Sequence, residues 1–494
     1  MEESKKYLYA AAIQGIQSFI LQSDELRDIV GASELIEEIC TKAFDDFGKD
    51  KDRTVIKAAG NIKYMFASKE ACEKAVLEFP KTVMEMAPGI TVSQAVVSYE
   101  NDSDFGEAID AIEEKLKAQR NKQITTDPVY MSMRRSRQTG MPVVKINNGV
   151  YLDAATVAKR KGATKGNDNS TKVLSEKCFG IENLSHKRIA YDIEKITDKN
   201  DWISIIHADG NGLGQIVQKV GKSQADFRDF SLRLDEATKS AAVNAYKFIS
   251  DKYKFDAIKN KTIPIRPVVL GGDDFTVICR ADFAMEYTEK FLDAFENLTK
   301  EKLSGIFNKY NLNMDKLTAC AGIAYIKSSY PFHYGYDLAE SLCSVAKKEA
   351  RSKVNEKGTL APSCIMFHKV QDSFVTDYTD IEERELKADG TSFKFGPYYL
   401  ESENGATVED LIENIKQLNS EEGNAVKSHL RNWLNDIVTN SETAKQRKDR
   451  LISNLERNKE LRELVEKVTV GEKIAAYDIL SLHSIMYNQT KEEE

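Results

Sequence analysis

The sequence predicts an α+β chain in which one strand, helix, hairpin, helix, strand unit occurs twice and a helical bundle follows. Three observations predict it. Two acid-bearing motifs, at Asp209 and at Asp273-Asp274, stand in the order strand-acid, helix, hairpin-acids. A version of the same order without the acids occupies the first part of the chain. Beyond about residue 400 the apolar residues recur only at helical spacing. The expected segments are a first copy at 1–127, a basic connector at 128–200, a second copy at 201–372 and a helical domain at 373–494.

The hairpin is Val268-Val269-Leu270-Gly271-Gly272-Asp273-Asp274-Phe275-Thr276-Val277-Ile278. Two apolar, β-prone runs flank a Gly-Gly-Asp-Asp turn, which puts adjacent carboxylates at the tip. Upstream, Ile203 to Ala208 reads as a strand that ends on Asp209. Gly210-Asn211-Gly212-Leu213-Gly214 follows, with a helix expected from Gln215. A glycine-rich turn before a helix lets backbone approach a ligand and offers free N–H groups to phosphate oxygens. Carboxylates at two nearby strand ends suit Mg²⁺ or Mn²⁺, which prefer hard oxygen ligands shared with substrate phosphates. No GxxxxGK[ST] follows a strand, and the evenly spaced glycines are not a GxGxxG fingerprint.

Laying Ala12–Phe19 over His207–Gly214 sets Gln14 on Asp209 and Gly15 on Gly210. Laying Val55–Ile62 over the hairpin sets Gly60 on Gly272, Asn61 on Asp273 and Ile62 on Asp274. The strand at Ile90–Tyr99 matches Leu317–Ile326, and the helix ending at Arg120 matches the one ending at Arg351. The first copy has therefore lost its acids and is not expected to hold a catalytic metal.

These motifs resemble the palm domains of nucleotidyl cyclases and GGDEF-type synthases. More closely they resemble the large polymerase-like subunit of type III CRISPR effector complexes. Ala11 to Ile20 with Leu26 to Ser33 is similar to that family's first palm. Leu317 to Ala324, Pro331-Phe332 and Ala346-Lys347-Lys348 are similar to its late palm strand and helix, and Cys364 to His368 to its closing strand. The resemblance implies two ferredoxin-like palms and a synthase that makes cyclic or linear oligonucleotide messengers, oligoadenylates above all, from ATP. It implies Asp209, Asp273 and Asp274 as catalytic and metal-holding residues. Gly210, Asn211, Gly212, Gly214, Gly271, Gly272, Lys347 and Lys348 would contact nucleotide. An Ala-Lys at this helix position contacts triphosphate in such palms; Lys347 is favoured and Lys348 is nearly as good. Implied partners are guide RNA and other effector subunits, in the cytoplasm. Two readings compete: a structural RNA-binding subunit of the ribonucleoprotein complex, and a free-standing two-nucleotide cyclase.

Composition excludes other classes. Of 494 residues 41% are hydrophobic, ordinary for a globular chain. No apolar run approaches the roughly 20 residues of a membrane span, and Met1 to Lys6 lacks a signal-peptide core. Seven scattered cysteines without a CxxC pair argue against a zinc ribbon or a disulfide framework. No histidine precedes an aspartate, so the HD nuclease module common in the resembled family is not expected. A net charge of −8 argues against a wholly nucleic-acid-binding surface. Arg134-Arg135-Ser136-Arg137 and Lys159-Arg160-Lys161 stand apart as a solvated face or an anion surface, with only Tyr130 and Tyr151 nearby for stacking. Lys161 to Ser170 reads as a mobile loop. His207 reads as a strand residue on the Asp209 face, and Arg27 and Ser33 as possible neighbours of a nucleotide. In the C-terminal segment a cap at Thr407 precedes Leu411, Ile412, Ile415 and Leu418. Leu430 to Ile437 forms a second stripe, and Leu451 to Leu464 suggests one further helix.

Overall fold

A computed structural model describes residues 5–23, 25–58, 60–120, 132–164, 173–197, 202–257, 261–354, 359–371, 377–388, 390–471 and 473–487. Tyr130, and residues 165–170 of the expected mobile loop, lie outside them.

The first copy comprises β1 (Lys6–Gln14), α1 (Ile16–Ile20), α2 (Leu26–Glu38), β2 (Thr54–Ala58), β3 (Asn61–Phe66), α3 (Lys69–Met86), β4 (Thr91–Tyr99) and α4 (Phe105–Arg120). Its sheet has the order β2-β3-β1-β4, the ferredoxin-like arrangement, with β1 antiparallel to both neighbours. Central β1 is apolar on both faces because helices cover it: Leu8 to Ala12 are 0–2% exposed. Tyr9, Phe44, Phe47, Tyr64, Phe66 and Phe79 form an aromatic cluster beneath the sheet.

The described part of the connector forms regular elements. Hairpin β5 (Val143–Asn147) and β6 (Val150–Asp153) leads into α5 (Ala154–Thr164), then α6 (Val173–Phe179) and α7 (Glu194–Thr197). Lys161 to Thr164 thus belong to a helix, because α5 packs along α2: a Cβ on Gly162 would lie 2.9 Å from the Gly31 carbonyl oxygen.

The second copy repeats the first. It runs β7 (Trp202–Gly210), α8 (Leu213–Val220), α9 (Gln224–Tyr253), β8 (Ile265–Gly271), β9 (Asp274–Arg280), α10 (Ala284–Lys309), β10 (Ala319–Lys327) and α11 (Phe332–Ser352). Then come β11 (Cys364–Lys369), α12 (Tyr378–Arg384), β12 (Lys387–Ala388), β13 (Thr391–Ser392) and β14 (Tyr398–Tyr399). The sheet order β14-β11-β10-β7-β9-β8 contains the first copy's order, extended by β11 parallel to β10 and β14 antiparallel to β11. The strand at Cys364 therefore does not close the sheet; β14 does.

The C-terminal helices are α13 (Val408–Leu418), α14 (Glu421–Thr439), α15 (Ser441–Asn454), α16 (Lys459–Val468) and α17 (Ala476–Met486). Thr407 caps α13 as expected, its hydroxyl accepting from the Asp410 amide at 3.0 Å. The stripe from Leu451 to Leu464 is two helices, not one, because Asn458 accepts from the Leu461 amide and starts a new helix.

Contacts group the chain into two units: residues 1–196 with 210–277 and 294–317, and residues 197–209 with 278–293 and 318–494. In the first unit, the first copy packs on α9 and β8. Arg228 reaches Asp52 at 3.1 Å and the Lys63 ammonium lies 5.6 Å from the Phe227 ring centre. Arg266 of β8 is fully buried and donates to Ser175 at 3.0 Å and to Glu34 of α2 at 3.4 Å. Burial pushes the Glu34 carboxyl up to about 7, only partly countered by the Arg266 guanidinium. In the second unit, β10 and α11 approach very closely at Gly322, where a Cβ would sit 2.0 Å from the Ala339 carbonyl oxygen. That approach fixes the helix carrying Lys347.

Candidate functional site

Both motifs form the local structures expected of them. β8 and β9 are joined by the two residues Gly272 and Asp273, with Gly272 at φ 65°, a left-handed value that favours glycine. The tip is anchored: the buried Thr238 hydroxyl of α9 bonds the Gly272 carbonyl at 2.5 Å. Asp273 and Asp274 are half-buried, so their carboxylates remain reachable. Gly271 is buried within β8.

Asp209 is the penultimate residue of β7. Gly210, its covalent neighbour, abuts the hairpin: a Cβ there would lie 2.9 Å from Asp273 Cβ and 3.2 Å from Asp273 Oδ2. Only a residue without a side chain lets the strand end come this close. Asn211 is buried, 5% exposed. Gly212, at φ 72°, is the N-cap of α8, and the helix begins at Leu213, two residues before the expected Gln215. Gly214 is therefore a first-turn helix residue with open space around it. Helix entry, not the strand end, sets the correspondence between copies: Gly15 (φ 64°) caps α1 as Gly212 caps α8. The second copy thus has Gly210-Asn211 as extra backbone beside its acid. The turn glycines Gly60 (φ 80°) and Gly272 match, whereas the strand starts match Asn61 to Asp274, one residue out of step. Neither register gives the first copy an acid, and Ile62 is 1% exposed.

Around Asp209 the second unit adds a cation. Lys347 of α11 forms an ion pair with Asp209, while Lys348 is exposed on the same helix. His207 is 6% exposed and meets the Tyr336 ring edge-on at 5.7 Å, so it is a packed strand residue. Burial pushes its pKa down to about 4; Asp209 opposes the shift and Lys347 adds to it. The Glu340 carboxyl is raised by burial, then by Asp337 and Asp209. Glu340 is thus near enough to feel the charge of Asp209.

Within the first unit a cavity of about 290 Å³ opens beside the hairpin. Gly15, Gln17, Ser18 and Ser33 of the first copy line one side, and Val268 to Leu270 with Asp274 the other. Ser33 is among its lining residues; Arg27 is exposed and is not. Glu37, Gln17 and Thr238 were not singled out from sequence. Thr238 had one usable signal, a hydroxyl within the apolar stripe of a long helix.

Among the described residues no group of three or more His, Cys, Asp or Glu forms a metal cage. The donor chemistry still fits Mg²⁺ or Mn²⁺. Such ions are usually held by one or two carboxylates and completed by substrate phosphates, not caged by protein alone. The basic connector divides. Lys159 is buried and donates to the Phe19 carbonyl, and Arg160 pairs with Asp28 at 2.8 Å, so neither serves an anion surface. Arg134, Arg135 and Arg137 are exposed. No described helix is long and apolar enough to cross a membrane.

A ferredoxin-like sheet with carboxylates on its hairpin and at its strand end defines a palm domain. Residues 202–355 match the family model of the Cas10/Cmr2 second palm domain. The resemblance to the large polymerase-like subunit of type III CRISPR effector complexes therefore holds for this palm. Among solved structures, a Csm1–Csm4 cassette in complex with cA4 matches with a TM-score of 0.58 at 15% identity, over 98% of this chain and 70% of that one. The Csm1–Csm4 subcomplex of the type III-A CRISPR-Csm interference complex gives 0.55 at 14%, with the same coverage. The cassette in complex with one ATP gives 0.53 at 14%, again over 98% and 70%. At these identities the likeness is one of fold. No curated protein matches the sequence.

Proposed function

We propose that this chain is a nucleotidyltransferase that joins ATP into linear or cyclic oligoadenylates as the large subunit of a type III CRISPR effector. The observation that carries the reading is the close approach of Gly210 to Asp273, which sets the glycine-rich turn before α8 against the Gly-Gly-Asp-Asp tip. The palm-model match and the ATP- and cA4-bound Csm1–Csm4 structures of like fold support it.

Asp273 and Asp274, with Asp209, would hold Mg²⁺ or Mn²⁺, which supplies charge to the transferring and leaving phosphates. The chain's residues do the rest. Gly212 and the first amides of α8 offer N–H groups to phosphate oxygens. Lys347, exchanging Asp209 for phosphate, neutralises charge as pyrophosphate leaves. The cavity beside Asp274, lined by the acid-free first copy, holds the second nucleotide, whose ribose hydroxyl attacks the α-phosphate. Positioning supplies most of the acceleration. A smaller subunit of the Csm4 type, and through the complex a guide RNA, are the proposed partners.

The test is incubation with each of the four nucleoside triphosphates and Mg²⁺, with products read by mass. Oligoadenylate from ATP is expected, and an Asp273→Ala, Asp274→Ala double variant should make none. Wild-type turnover by that variant sinks the proposal.

A further inference from the structure

The β5–β6 hairpin carries a surface that the palm chemistry does not use. Val144 and Ile146 are each 61% exposed, Met133 44%, Val150 42% and Met141 38%. Aliphatic side chains exposed to this degree are unremarkable singly, but Val144 and Ile146 stand two apart on β5, with Val150 at the start of β6 and Met133 and Met141 on the segment before the hairpin, and such a group marks an interaction site. α5 packs against both strands of the hairpin, and the exposed aliphatic residues are those it leaves uncovered.

The platform is preorganised. The Ser136 amide donates to the Met141 carbonyl and the Val143 amide to the Arg134 carbonyl, both at 2.9 Å, which extends the hairpin backwards to residue 134. Beneath it, the buried Asp153 accepts from the Thr139 hydroxyl at 2.7 Å and from the Thr156 amide at 2.9 Å. Ile146 lies opposite Tyr151, and the Arg134 guanidinium sits 3.8 Å from the Tyr151 ring centre. Arg, Tyr and Met are the residue types enriched where proteins dock. Arg134, Arg135, Arg137 and Lys145 are exposed and make no ion pair with a carboxylate among the described residues, in a chain of net charge −8.

We propose that this hairpin is the docking surface for a protein subunit whose own face is an apolar strip edged with carboxylates. Resting on the assembly reading above, that occupant is the Csm4-type partner. Charge complementarity selects an acidic rim, and it disfavours a second copy of this chain, whose basic residues would meet their like. Single-stranded RNA is the weaker occupant, because stacking needs open aromatic faces and the one ring here is already covered by Arg134.

The experiment uses the full chain and its Csm4-type subunit from the same source, mixed and measured by titration calorimetry. Wild type is compared with Val144→Asp plus Ile146→Asp, and separately with Arg134→Glu, Arg135→Glu, Arg137→Glu. Both sets are solvent-exposed, and thermal melts confirm that each variant is folded. The aspartate pair is expected to weaken binding about 100-fold; the glutamate set should weaken it and reduce its salt dependence. Hydrogen exchange across 143–153 should slow in the complex. Unchanged affinity in both folded variants overturns the surface while leaving the assembly reading intact. Failure of the wild-type pair to associate overturns both. A third titration uses a 20-nucleotide single-stranded RNA: loss of RNA binding by the variants with partner binding kept assigns the hairpin to nucleic acid and overturns the proposal.

Discussion

Gly210→Ala tests the convergence on which the catalytic reading depends. The new Cβ would lie 2.5 Å from Leu213 Cδ1, 2.9 Å from Asp273 Cβ and 3.2 Å from Asp273 Oδ2. Leu213 can yield, since Cδ1 is the far end of a flexible side chain. Asp273 Cβ is fixed to the backbone of a tight turn and cannot swing away. Ordinary contact begins near 3.4 Å, so the hairpin tip must retreat by about 0.5 Å. Overpacking of this size costs about 1–3 kcal/mol, which a chain of this length should survive folded. Catalysis is less forgiving: misplacement by about 1 Å costs on the order of 100-fold, so a loss of roughly 10- to 100-fold is expected. Pyrophosphate release from ATP with saturating Mg²⁺ is the assay, paired with a thermal melt. Gly214→Ala is the companion variant, since nothing lies within 4 Å of its Cβ. It should melt like wild type, and any activity lost there reports backbone approach to phosphate. Wild-type turnover by folded Gly210→Ala would refute the claim that Asp273 and the β7 strand end act together.

Other perturbations follow from the same geometry. Thr238→Val keeps shape but removes the hydroxyl that holds the Gly272 carbonyl; turnover should fall about 5-fold and Thr238→Ser should restore it, consistent with one buried hydrogen bond of about 1 kcal/mol. Equal rates in all three would remove Thr238 from the positioning of the acids. Lys347→Met should cost under about 1 kcal/mol of stability, since Asp209 is 42% exposed and solvent screens the pair. It should nevertheless lower kcat markedly, with Lys348→Met close to wild type; the reverse ranking would assign the triphosphate contact to Lys348. His207 is held neutral in the fold, with its pKa at about 4 against 6.5 when unfolded, so the unfolded chain binds the extra proton between those values. Its contribution is full above pH 6.5 and lost as pH falls towards 4. The stability gap between wild type and His207→Asn should therefore shrink by about 2 kcal/mol from pH 7 to pH 5 in denaturant titrations. A gap independent of pH would contradict its burial.

The parts legible in sequence were those decided locally. A Gly-Gly-Asp-Asp turn between apolar runs has few other ways to fold, and Gly272 takes the left-handed conformation such a turn demands. The motif left Lys347 and Lys348 nearly equivalent, and only the structure distinguishes them, through the ion pair of Lys347 with Asp209. The duplication was legible as order and is visible as a shared strand order, but its register was not. Glycine spacing put Gly15 on Gly210, whereas helix capping puts it with Gly212. What depends on distant partners was hidden. Lys159 and Arg160 looked like surface charge because nothing nearby in sequence announces the Phe19 carbonyl or Asp28. The run from Lys161 to Thr164 looked like loop because glycine is a poor helix former, yet α2 leaves room there only for glycine. The tertiary neighbour overrode the local preference.

The bond between Arg266 and Glu34 spans 232 residues and has a consequence for how the molecule is born. A nascent chain emerges from its N-terminus, so the first copy can complete its own sheet long before residue 266 leaves the ribosome. Until then Glu34 lacks its guanidinium partner, with only the more distant Lys177 to offset its charge, and is best kept protonated or wet. The strand that leads into the Gly-Gly-Asp-Asp turn must wait for it in the opposite sense, arriving to find a finished receptor. The copy that surrendered its acids would then act as a template on which the working copy is assembled, an order of events imposed by the direction of translation.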